Sequence, residues 1–284
     1  MAVRAERVPA EEIRQRMLDA GRELALEAGA ALTIEHLRLE EVIQRARVPR
    51  SSAYRVWPYK EEYIDDLMAY LAGPGSWFSG SRAFDPETFS IVEKTIESNR
   101  QLLATTDGRR ALLCEATRLG AARNYQAFSE SLHWRLHMAL LATLGSTRTG
   151  EARRKIATAL QDGQTKSRQS LVALYEYLKL TLGLRERDPA RTLEHMVLAG
   201  GVLIQSLALR NIQVQASVGA PDADTVNELL NTPIPGPGLD GKPAPWTLAA
   251  YSYLGLLDAF IEVDPDFQPP ESGPQSGPVP GPGR

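Results

Sequence analysis

Residues 42–60 read Val-Ile-Gln-Arg-Ala-Arg-Val-Pro-Arg-Ser-Ser-Ala-Tyr-Arg-Val-Trp-Pro-Tyr-Lys. Five bases (Arg45, Arg47, Arg50, Arg55 and Lys60) fall in this stretch without one acid. Acids resume on either side, at Glu40 and Glu41 and again at Glu61, Glu62, Asp65 and Asp66. Residues 1–70 together carry 11 bases and 13 acids, so the positive charge is a patch within an acidic module. An arginine fork matches O6 and N7 of guanine, while serine and tyrosine hydroxyls and a lysine hold phosphate oxygens. These residue types, so concentrated, predict a surface for a nucleic-acid duplex rather than a merely solvated charged face.

Other reactive groupings are thinner. His133 and His137 stand one helical turn apart, a spacing that suits a metal, but Trp134 follows His133 where a zinc protease has Glu, and no third ligand is evident. No metal is therefore expected. His36 and His195 are isolated, and Cys114 sits among Leu112, Leu113 and Ala116 as a small buried hydrophobe. There is no Gly-rich phosphate loop after a strand, no Gly-x-Ser-x-Gly, and no carboxylate pair marked as acid and base. We expect neither an enzyme nor a cofactor.

The elements that must carry the basic patch are helical. Ile13, Met17, Ala20, Leu24 and Ala28 recur at steps of three and four before Gly29. Similar stripes follow: Phe89, Val92, Ile96 and Leu103; Tyr125 through Phe128, Leu132, Leu136 and Leu140; Leu171, Leu174, Leu178 and Leu182. The last two are Leu193, Val197, Gly200, Ile204 and Leu207, then Ala249, Tyr253, Leu256, Phe260 and Val263. No alternating strand pattern stands out, so an all-α fold is expected. With 284 residues, 43% hydrophobic, the chain can bury one or two cores. Gly73-Pro74-Gly75 separates a part at 1–72 from one at 76–264. Five prolines between 233 and 245 predict a loop, and the Pro/Gly-rich stretch 265–284 predicts a disordered tail.

Net charge is −3 and there is one cysteine, which suits a reducing cytosol. The charged start carries no secretory leader, and the longest purely apolar run, Met196 to Ile204, is far short of the ~20 residues a membrane span needs. A cytoplasmic protein without a membrane is expected. Only six of the 32 basic residues are lysine, which suits a GC-rich bacterial genome.

Val48-Pro49 splits residues 38–57 into two short helical patterns joined by a tight turn, the unit that lays its second helix in a major groove. The run Val48-Pro49-Arg50-Ser51-Ser52-Ala53-Tyr54-Arg55-Val56-Trp57-Pro58-Tyr59-Lys60-Glu61 resembles the signature of TetR-family (tetracycline-repressor-like) transcriptional regulators. The resemblance covers about the first 72 residues and implies a three-helix DNA-binding domain with its helix-turn-helix at about 38–57. It makes Tyr54 and Lys60 phosphate clamps. It places Pro49, Arg50, Ser51 and Ser52 at the front of the recognition helix, with Arg47 and Arg55 near the backbone or groove edge. Trp57 replaces the usual Phe or Tyr and is read as core packing. Arg47 departs from the family's turn glycine, and Pro49 from its Ser or Thr cap. Arg38 takes the position of a phosphate-contacting Ser or Thr, and Thr33-Ile34-Glu35-His36 could add a turn to a longer connection.

The same resemblance implies that 76–264 dimerises and senses a ligand. One small module reads few base pairs, so two copies on a palindromic operator are expected. Candidate dimer residues are Val197, Gly200, Gly201, Ile204, Tyr253, Leu256 and Phe260, in helices at about 188–213 and 246–263. The mid-helix glycines cost ~1 kcal/mol each in propensity unless close packing offsets them. Phe128, Trp134, Met138, Tyr175 and Met196 are candidates to line a pocket for a small apolar or amphipathic effector. The sequence thus predicts a homodimeric, ligand-released repressor in a bacterial cytoplasm. The alternatives are a DNA-binding dimer without an effector, or a helical protein–protein adaptor that no longer binds an operator.

Overall fold

The computed structural model describes residues 9–27, 37–73, 85–144, 150–217, 219–220 and 222–268. The Thr33–His36 connection and the tail from 269 onward lie outside these residues. Among the described residues the fold is predominantly α-helical. The helices are α1 (Ala10–Glu27), α2 (Leu39–Ala46), α3 (Arg50–Val56), α4 (Lys60–Ala72), α5 (Pro86–Ser98), α6 (Thr106–Glu130), α7 (Leu132–Thr143), α8 (Gly150–Leu182), α9 (Leu193–Ala216), α10 (Ala223–Asn231) and α11 (Leu248–Phe260). Four short strands accompany them: β1 (Leu184–Glu186), β2 (Ile234–Pro237), β3 (Pro243–Trp246) and β4 (Ile261–Val263).

The described residues fall into two compact units. The first draws on Met1–Ser79 and Ser131–Gln164, the second on Gly80–Glu130 and Thr165–Arg284. In the first, the apolar stripe of α1 (Ile13, Met17, Leu24) meets Leu39, Val42 and Ile43 of α2, Ala53 of α3, and Tyr63, Ile64, Leu67 and Met68 of α4. Leu136 and Leu140 of α7 and Ile156 and Leu160 of α8 extend the same core. The Tyr125–Leu140 stripe is two helices rather than one. Ser131 breaks it because its extended backbone and its Oγ, which accepts from the Trp134 N–H at 3.1 Å, start a new helix.

In the second unit α6 is the central helix, packed by α5, α9 and α11. Its buried Arg109 donates to the Asp264 carbonyl at 2.8 Å and to the Leu103 carbonyl at 3.3 Å, and its guanidinium lies 5.4 Å from the Phe267 ring centroid. Phe267 belongs to the segment expected to be a disordered tail. Gly183, at φ 61°, makes room for it, since a Cβ there would come within 2.1 Å of the ring. The proline-rich 233–245 stretch, expected to be a loop, forms an antiparallel β2–β3 ribbon with Pro235 opposite Pro245. Both strands are edges, so a proline without an N–H is tolerated in either. β1 pairs with β4, Leu184 opposite Val263. α9 has a mean hydropathy of 1.3 and is long and apolar enough to cross a membrane. It buries Leu193, Met196, Val197, Gly200, Ile204 and Ala208, and it packs on α6, α10 and α11.

One contact tests how tightly the first unit is built. The Tyr63 hydroxyl donates to the Met17 carbonyl at 3.0 Å, and a Cβ on Gly21 would fall 2.1 Å from that oxygen. Gly21→Ala should destabilise by about 1–3 kcal/mol despite the better helix propensity of alanine. Tyr63→Phe in the Gly21→Ala background should recover part of that loss, read from urea-unfolding midpoints in a double-mutant cycle.

Candidate functional site

The basic stretch lies on α2, a turn and α3. Leu39, Val42 and Ile43 bury one face of α2, while Arg38, Glu40, Glu41 and Arg45 stay outside. The chain then reverses at Arg47, which adopts a left-handed conformation (φ 53°, ψ 41°). Its N–H and that of Val48 turn back to carbonyls of the last turn, Gln44 at 3.2 Å and Ile43 at 3.4 Å. This is a helix stop usually built with glycine. Pro49 is the cap residue of α3 rather than its first residue; it offers no side-chain hydrogen bond, and its carbonyl accepts from the Ser52 and Ala53 N–H groups.

With only seven residues, α3 relies on its ends. Ala53 is buried toward α1, and Trp57 closes the helix at 2% exposure. The Trp57 indole N–H donates to Asp66 at 2.8 Å, Arg14 pairs with the same carboxylate, and the Arg14 guanidinium lies 5.3 Å from the indole centroid. Tyr63 meets the indole edge-on, 5.2 Å between centroids. What α3 leaves outside is Pro49, Arg50, Ser51 and Arg55, with Ser52 and Tyr54 half-buried. Arg50 keeps 69% of its side chain exposed.

The five bases are not equivalent. Arg45 is held in a two-point pair by Glu27, at 2.7 and 2.9 Å, with Glu23 at 3.6 Å. Arg47 and Arg55 are exposed and make no ion pair among the described residues. Glu40, in the sequence only an acid flanking the basic stretch, accepts from the Tyr54 hydroxyl at 3.0 Å and from Arg50 at 3.4 Å, while the Arg50 guanidinium lies 5.5 Å from the Tyr54 ring centroid. Its own backbone N–H, then the Tyr54 hydroxyl, with Arg50 and Lys60 nearby, hold the Glu40 carboxyl below the usual range. Glu40 thus occupies the two groups best suited to an incoming anion. Its signal in the sequence was an acid on the outer face of α2, ten residues before Arg50.

The second unit holds a cavity of about 60 Å³ walled by α5, α6, α8, α9 and α11. Thr88 and Val92 form one side, Leu113, Ala116, Thr117, Gly120, Ala121 and Asn124 a second, and Leu171, Leu174, Tyr175 and Leu178 a third. Gly200, Gly201, Ile204 and Tyr253 complete it. Of the five residues expected to line a pocket, only Tyr175 is in the wall. Met196 is fully buried elsewhere on α9, Phe128 is near the end of α6, and Trp134 and Met138 belong to α7 in the first unit. Four residues expected at a dimer interface, Gly200, Gly201, Ile204 and Tyr253, line the cavity. Val197 is buried within the chain, while Leu256 and Phe260 are half-buried. The missed signal was Thr117, Gly120, Ala121 and Asn124, small or polar residues at helical spacing on the buried face of α6.

Cys114 is buried, and burial pushes its thiol up. Among the described residues no group of three or more His, Cys, Asp or Glu side chains could hold a metal ion. His137 is buried on α7, and burial lowers its imidazole from 6.5 to about 4. Comparison of the chain with family models, curated proteins and solved structures finds no match.

Two measurements follow from this geometry. Arg47→Gly removes a left-handed L-residue costing about 1–2 kcal/mol and adds about 1 kcal/mol of unfolded-chain entropy, so the unfolding midpoint should rise slightly or stay level, whereas Arg47→Val should lower it. The native state binds the His137 proton less well than the unfolded chain, so its stability contribution is complete above pH 6.5 and is lost as pH falls toward 4. Chemical denaturation across that window should show a loss of up to about 3 kcal/mol that His137→Leu flattens.

Proposed function

We propose that this protein is a sequence-specific DNA-binding transcriptional regulator of the TetR-like kind, a homodimeric repressor released from a palindromic operator by a small molecule. The observation that carries this reading is the outer face of α3. Arg50, Ser51 and Ser52 stand at the open front of a short helix whose other end is locked by Trp57. A helix presented in this way can lay its first residues against base edges while Tyr54, Arg55, Arg47 and Lys60 meet phosphates. Arg38, exposed at the start of α2, would add a backbone contact by charge.

A second copy is the occupant proposed for the outer side of α9 and α11. Leu198, Val202 and Leu209 on α9 and Tyr251 on α11 are exposed. A matching pair of such helices would bury them and hold two α3 helices for two half-sites. The proposed dimer thus uses the two expected helices through neighbouring residues, since Gly200, Ile204 and Tyr253 are already used inside the chain. Ligand release follows by linkage. A molecule that prefers the non-binding arrangement weakens DNA affinity, and DNA weakens that molecule's affinity by the same factor.

Fluorescence anisotropy with the promoter DNA beside the gene tests the reading. Affinity should fall steeply as salt rises, because phosphate contacts release counterions. Arg50→Ala should cost ~1–3 kcal/mol of discrimination between sites, while Lys60→Ala should weaken all sequences alike. Glu40→Gln, by freeing Arg50 and Tyr54, should tighten binding to every duplex. Equal effects at Arg50 and Lys60 would overturn the division of roles, and no specific shift at any salt would favour the adaptor.

A further inference from the structure

We infer that the cavity of the second unit binds a small, uncharged, mainly apolar molecule carrying one hydrogen-bond acceptor of the carbonyl or ether kind. As the site of an effector this rests on the regulator reading above; as a binding site it rests on the cavity walls alone.

Charge is excluded first. No lining residue is ionisable except the two tyrosines, so a carboxylate or an ammonium would be stripped of water without a counter-ion. Size follows from the volume, since about 60 Å³ gives room for roughly four to six water-sized groups. That suits a molecule of about four to six non-hydrogen atoms rather than a six-membered ring, since a cavity that takes benzene is nearer ~150 Å³.

The acceptor follows from counting protons. Tyr175 and Tyr253 are both buried, and their hydroxyls are 2.7 Å apart in one hydrogen bond. Two hydroxyl protons are present and the pair consumes one. The second has no acceptor among the described residues, and desolvation keeps both phenols protonated at neutral pH. Asn124, 8% exposed, also lines the cavity, and its amide makes no hydrogen bond among the described residues. The other polar lining groups are satisfied internally, Thr117 by the Leu113 carbonyl and Thr88 by Asp85. An apolar chamber thus retains a phenolic proton and an amide, both on buried side chains, where an unmet donor is costly. A ligand oxygen would satisfy one or both. Gly200 helps to place the phenol, because a Cβ there would come within 2.5 Å of the Tyr253 ring.

The experiment uses the full chain and two small probes of nearly equal shape, 2-butanone and 2-methyl-1-butene, with propanoate as the charged control. Binding is followed by the methyl NMR signals of Leu113, Leu171, Leu174, Leu178 and Ile204. The ketone should bind about five- to tenfold more tightly than the alkene, the worth of one net hydrogen bond, and the carboxylate should not bind. Tyr175→Phe/Tyr253→Phe keeps the walls but removes both protons, and should reduce the ketone's advantage while leaving alkene binding unchanged. Asn124→Leu should reduce the same ratio if that amide shares the oxygen, and provides a second route if the double variant does not fold. Equal ketone and alkene affinities in the natural chain, carboxylate binding, or shifts confined to other methyls would each overturn the assignment. Repeating the titration with promoter DNA separates the two claims. A ketone that binds the cavity without altering DNA affinity leaves the site intact and removes its effector role, whereas DNA binding without ketone binding does the reverse.

Discussion

The first unit depends on how a seven-residue helix can be held still. Isolated helices of this length are marginal in water, so α3 owes its position to what grips it. The grip is Trp57: its indole is packed edge-on by Tyr63, bonded to Asp66 and covered by Arg14, while Ala53 seats the middle of the helix. These contacts come from α1, distant in sequence, and from α4, the next helix along the chain. Because the anchor is at the C-terminal end, the N-terminal end is left open to solvent with its arginine and serines. Anchoring and exposure are two results of one arrangement.

The second unit solves a different packing problem. A central helix surrounded on several sides would normally be filled with large apolar residues, yet α6 carries Ala116, Thr117, Gly120, Ala121 and Asn124 where it meets its neighbours. α9 adds Gly200 and Gly201 opposite them. Small residues on both sides forgo packing that a close-packed core would make, and leave a void. Elsewhere the unit is closed firmly, by the two-point Arg110–Asp258 pair between α6 and α11 and by Arg109 tying the chain beyond β4 to α6. The void is therefore local rather than a sign of loose packing throughout.

Much of the secondary structure was legible. The 3.6-residue period marked α1, α9 and α11 to within a few residues, because burial of one face imposes that spacing wherever a helix meets a core. The turn at Arg47 was legible too, though not its chemistry: Val48-Pro49 announced a break, but the left-handed geometry that Arg47 accepts is a feature of the folded chain. The proline-rich ribbon was not legible. Proline argues against a strand by local rules, but two edge strands facing each other need few of the missing N–H groups, and Trp246 fixes them by donating to the Pro237 carbonyl.

What the sequence determined by itself is what depends on near neighbours: helical stripes, breaks, and a basic cluster flanked by acids. What only the tertiary structure decided is which side chains are already committed. Arg45 and Arg50 look alike in the sequence, yet one is held by Glu27 and the other shares Glu40 with Tyr54. Gly200 and Tyr253 look like interface residues, yet they pack against each other in the wall of a cavity. Periodicity fixes a residue's face within its own helix, but what stands opposite that face is set by packing between distant segments, 78 residues apart for Tyr175 and Tyr253 and 155 for Arg109 and Asp264, and no local pattern encodes it.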